Sequence, residues 1–106
     1  MRKLSIIITS TNIESLIKCM DSILQYTIIK DIEFIFVIHG DPNYEKIYPY
    51  VDNITNYDKL IKILWYRKVI ENADFEGIKQ STGKNLLILK DDFIVNDHGW
   101  LNTKYF

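Results

Sequence analysis

Apolar residues fall along the chain in short runs divided by turn formers, and two spacings recur among them. Leu4 to Thr9 (Leu-Ser-Ile-Ile-Ile-Thr) is apolar without strict alternation, the pattern of a strand buried on both faces. Asn12 then offers a side-chain oxygen to cap a helix. Behind it Ile13, Leu16, Ile17, Met20, Ile23 and Leu24 recur at helical spacing, with Glu14, Ser15, Lys18, Asp21 and Gln25 on the other face. Ile32 to Ile38 predicts a second buried strand, stopped by His39-Gly40-Asp41-Pro42-Asn43.

Tyr44, Ile47, Tyr48 and Val51 predict a second helix, which Pro49 should kink or shorten. Leu60 to Tyr66 reads as a third strand. A helix follows from about Asp74 to Thr82, with Gly83 in the capping position after it. Leu86 to Leu89 makes a fourth strand, and Lys90-Asp91-Asp92 sits at its end. Strands alternating with helices predict one α/β domain over residues 1–106, with a mainly parallel four-stranded sheet. Ligands of such sheets bind at the carboxyl ends of the strands, where strand order reverses. The segments that meet there are Thr9 to Asn12, His39 to Asn43, Tyr66 to Lys68 and Lys90 to Asp92.

Composition narrows the class without choosing a function. The 106 residues are 47% hydrophobic and 25% charged, as in ordinary globular proteins. A formal net charge of -1 argues against a broad electrostatic grip on nucleic acid or an anionic membrane. The 19 isoleucines raise apparent strand preference everywhere, so periodicity has to separate helix from strand. No apolar run is long enough to span a bilayer, and Ser5, Thr9, Ser10 and Thr11 break the opening stretch too soon for a signal peptide. One cysteine, Cys19, allows neither an internal disulfide nor a cysteine metal cage, and fits a reducing cytoplasm.

The strongest local chemistry is the Asp91-Asp92 pair. Two carboxylates at a strand end can hold a hard divalent cation that neutralises a bound diphosphate, and they can equally shape a turn. Gly40-Asp41-Pro42-Asn43 can meet a nucleotide or simply connect strand to helix. His39 shares that edge and can hydrogen-bond a ligand, whereas His98 falls in a loop without assignment. Cys19 belongs to the first helix and reads as inert packing. There is no G-x-G-x-x-G, Walker A loop, G-x-S-x-G elbow or H-E-x-x-H, which disfavours dehydrogenases, P-loop NTPases, α/β-hydrolases and zincins.

Taken in order, these segments resemble the N-terminal half of a family 2 glycosyltransferase. Ser5-Ile6-Ile7-Ile8-Thr9-Ser10-Thr11-Asn12 resembles the family's S-I-I-I-P-T-Y-N opening, and Cys19-Met20-Asp21-Ser22-Ile23-Leu24-Gln25 its C-L-D-S-I-L-x-Q helix. Asp31 to Val37 is similar to the D-I-E-I-I-V-V strand. Gly77 to Leu89 follows G-I-x-x-A-x-G-E-Y-I-L-F-L without a gap, Asp91-Asp92 falls in the D-x-D region, and Gly99-Trp100-Leu101 resembles P-G-W-L.

The resemblance implies the GT-A fold, a Rossmann-like three-layer sandwich, truncated relative to a full GT-A domain. It implies a nucleotide-sugar donor, a manganese or magnesium ion held by Asp92 with Asp91, and inverting displacement by an acceptor hydroxyl. Thr9, Thr11, His39 and Asp41 would line the nucleotide pocket, with Lys90 beside the diphosphate. The acceptor and the catalytic base are not named by it, and a second copy or another partner could supply the missing half. A non-catalytic binding or assembly module on the same fold is the alternative, as is an unrelated nucleotide-handling α/β domain. The departures from the family pattern gather at ligand positions. Lys90 replaces the first Asp of D-x-D and Thr11 a common Tyr. Ile38 and His39 stand at the two Asp positions after the second strand, with Asp41 at the Ser that follows the glycine. Ala73-Asp74-Phe75 stands for A-R-N.

Overall fold

A computed structural model of the chain describes residues 3–28, 30–54 and 61–101. Four strands, β1 (Leu4–Ser10), β2 (Ile32–His39), β3 (Ile61–Tyr66) and β4 (Asn85–Lys90), alternate with three helices, α1 (Ile13–Tyr26), α2 (Ile47–Asn53) and α3 (Ala73–Gln80). Every neighbouring pair is parallel and the strand order is β3-β2-β1-β4. The α/β fold expected from the alternation is therefore present. Leu60, expected to open the third strand, lies outside the described residues.

Two apolar layers bury the two faces of the sheet. Leu4, Ile6, Ile8, Phe34, Phe36 and Ile38 pack with Ile13, Leu16, Cys19, Met20 and Ile23 of α1. Ile7, Ile35 and Val37 point the other way and pack with Ala73 of α3. The period-2 alternation of β1 and β2 thus feeds both layers, which is why neither strand alternates in polarity. The result is a three-layer sandwich.

Local chemistry sets the ends of the elements. Asn12 caps α1, its side-chain oxygen accepting from the Ser15 N–H at 3.2 Å. Pro49 sits in the first turn of α2, where no N–H is missed, and α2 is only seven residues, preceded by a 3-10 turn at Tyr44–Lys46. Gly83 does not cap α3: the helix stops at Gln80 and Ser81 is already extended. Its smallness serves a close approach instead, because a Cβ there would lie 2.6 Å from the Ser5 amide nitrogen.

Candidate functional site

From β1 the chain steps outward to β2 and β3, then crosses back to place β4 on the other side of β1. The crevice outside that reversal is a cleft of about 290 Å³. Thr9, His39 and Lys90 reach it from the tips of β1, β2 and β4, and Ile70 to Phe75, with Ile78, form its other wall. The register explains the convergence. Thr9 lies beside Val37 and Lys90, so Thr9 and Lys90 share the α3 face, and His39, two residues beyond Val37, joins them.

His39 is 8% exposed, and the Ile70 N–H donates to its Nδ1 at 3.0 Å. An accepting ring nitrogen requires neutral imidazole with its proton on Nε2. Burial, helped by the Lys90 ammonium, lowers the His39 pKa against the opposing pull of Asp74 and Asp91. His39 therefore brings a hydrogen-bond donor to the cleft. The same bond fastens the β3–α3 loop to β2. Gly40 tightens the joint: its N–H donates to Tyr66 O at 3.0 Å, its φ is +75°, and a Cβ would lie 2.7 Å from Val69 Cγ2.

Opposite His39, in the first turn of α3, stands Asp74. Its Oδ1 is buried and has no donor among the described residues. A buried acceptor without a partner costs stability, and this one lies beneath the wall of the cleft that α3 provides. The sequence pattern alone does not mark Asp74 as a site residue. Its one signal there was an acid standing where the family resemblance expects arginine.

The remaining predicted residues divide. Ser10 donates its hydroxyl to Asp91 Oδ2 at 2.6 Å, tying the tips of β1 and β4 together, and Asp92 is exposed in the turn beyond. Both carboxylates act on the Cys19 thiol of α1 and Asp91 also acts on His39, so the Asp91-Asp92 turn stands at the strand tips beside the cleft without lining it. Lys90 immediately precedes the pair in the chain. Asp41 accepts the Ile13 N–H at 2.8 Å through Oδ2 and the Asn43 N–H at 2.6 Å through Oδ1, so it shapes the loop and the start of α1. Thr11 is exposed at the end of β1. Cys19 is fully buried; burial, then Asp91 and Asp92, push its thiol up to about 12, which leaves it inert.

For a metal, Asp91 and Asp92 are the available donors, and among the described residues no group of three or more His, Cys, Asp or Glu gathers. Two carboxylates fit magnesium or manganese that arrives with a diphosphate, since such ions keep waters and phosphate oxygens as their other ligands. A larger cavity of about 550 Å³ lies at the other end of the sheet, between Lys3, Tyr26, Ile28, Asp31 and His98, and holds none of the predicted residues. No helix among the described residues is long and apolar enough to cross a membrane. No protein-family model matches the chain, and a search of curated proteins finds no relative.

Proposed function

We propose that this chain is the donor-binding domain of a GT-A-type glycosyltransferase, holding a nucleotide-sugar across the tips of β1, β2 and β4. The observation that carries the reading is the meeting of Thr9, His39 and Lys90 in one cleft at the reversal of strand order, beside the Asp91-Asp92 turn. The cleft takes the nucleoside, and the diphosphate runs past Lys90 toward the two carboxylates. Ser10 orients Asp91, and the Lys90 ammonium adds positive charge along that path. A bound magnesium or manganese ion would neutralise charge growing on the departing diphosphate. The reaction served is inverting transfer of the sugar to an acceptor hydroxyl.

A second reading, a non-catalytic assembly module on the same fold, is favoured by the apolar side chains that β4 leaves exposed, Leu86 and Ile88. Thermal denaturation with nucleoside diphosphates, run with and without manganese, separates the two. A donor site gains several degrees in Tm only when metal and nucleotide are both present, because ligands that bind the native state stabilise it. Asp92→Ala should abolish that gain. An unchanged Tm with every nucleotide would leave the assembly reading standing alone.

A further inference from the structure

We propose that the hydrogen bond between Ile70 and His39 is a proton-released latch on the cleft. Neutral imidazole holds the β3–α3 loop, and with it one wall of the cleft, against the sheet; protonated imidazole lets the loop go. The inference stands apart from the nucleotide reading, since it concerns how the cleft is walled and not what fills it.

The Ile70 N–H donates to His39 Nδ1 at 3.0 Å, and only an unprotonated ring nitrogen can accept. With one proton already on Nε2, the next goes to Nδ1 and sets two N–H donors face to face, so the bond breaks. Among the described residues it is the one hydrogen bond that ties Lys68 to Glu71 to the sheet. The loop is otherwise held by apolar packing, Val69 against Gly40 and Ile70 against the layer of Ile7, Ile35 and Val37. Ile70 to Phe75 wall the cleft, so release of Ile70 loosens that wall. His39 borders the same cleft, which gives a proton its route to the buried ring.

The groups around the ring set where the latch opens. Burial and the Lys90 ammonium at the tip of β4 oppose imidazolium, while Asp74 of α3 and Asp91 beyond β4 favour it. Burial with Lys90 prevails, and the neutral form persists below the ordinary value of 6.5. Thr9 of β1 and Tyr66, beside His39 on β3, bring hydroxyl groups, and Glu71 of the loop is exposed to screening water. A released ring regains the ordinary value. Opening therefore takes up a proton and grows as pH falls below about 6.5.

The test is amide hydrogen exchange of the whole chain, followed by NMR between about pH 7 and about pH 5, with each rate divided by the intrinsic rate at that pH. Protection of the Ile70 amide should fall about tenfold across that range, as one proton taken up on opening requires, while the β1 amides keep theirs. His39→Asn retains an acceptor oxygen near the place of Nδ1 and does not titrate, so protection of Ile70 should stay level in that variant. Level protection in the wild-type chain overturns the proposal. So does a fall of the same size in His39→Asn, or a fall shared by Ile70 and the β1 amides, which is global unfolding. If His39→Asn does not fold, the ring nitrogen shifts of the wild-type chain decide: Nδ1 has to gain its proton over the same pH range in which Ile70 loses protection, and any other order of events overturns the latch. Nucleotide binding is judged separately by the thermal test.

Discussion

Glu33 is a carboxylate with no exposure to solvent, placed near the amino end of β2. Burial alone would raise its pKa. Four interactions outweigh burial: the Lys62 ammonium 2.6 Å from Oε1, the Ser5 hydroxyl 2.6 Å from Oε2, and the Thr82 N–H and hydroxyl on the same oxygen. Together they hold the group at about 2, below its ordinary 4.5. A depressed folded-state pKa contributes stability that is complete above the unfolded value and fades as pH falls from about 4.5 to about 2. Glu33→Gln should cost about 2–3 kcal/mol at pH 7 in urea unfolding, and that difference should shrink at pH 3. This residue was read from the sequence only as part of a strand pattern. Its partners lie 28, 29 and 49 positions away, and no local spacing reports them.

The elements were more legible than their joints. Asn12 and the spacing behind it marked α1 because a cap and an amphipathic face are local properties. Gly83 misled because a glycine after a helix has two explanations, a left-handed cap or a close approach, and only the packing against Ser5 decides. Gly77 shows the same ambiguity inside α3. A Cβ there would lie 2.5 Å from Ile7 Cγ2 and 3.1 Å from Val37 Cγ2, so the glycine lets the helix settle onto the sheet. Helix propensity alone would make Gly77→Ala stabilising by about 1 kcal/mol. The collision should reverse the sign, with a net loss of about 1–2 kcal/mol measured as a lower urea midpoint at unchanged slope.

At the scale of the whole molecule, the sheet has one outer edge at β4, where Leu86 and Ile88 remain exposed on the α3 face. Such an edge is a template for further pairing. Leu86→Lys should reduce concentration-dependent association in sedimentation velocity while leaving the nucleotide response intact. The position of the candidate site followed from alternation of strands and helices, since topology alone puts ligands at strand tips. Its detailed membership did not. Asp41 looked like a ligand residue and turned out to hold two backbone N–H groups, whereas the unpartnered oxygen of Asp74 depends on how α3 meets the tips of β1 and β2.

The register that sets Ser5 beside Leu86 also has a consequence for how the chain acquires its shape. β1 is central, yet one of its two neighbours arrives about eighty positions later, and parallel pairing rules out any hairpin to start from. During synthesis the first three strands can assemble, but the flank of β1 stays open until Asn85 to Lys90 has left the ribosome. Closure of that flank should be the slow, late event of folding, and the crevice at the strand tips is completed in the same step.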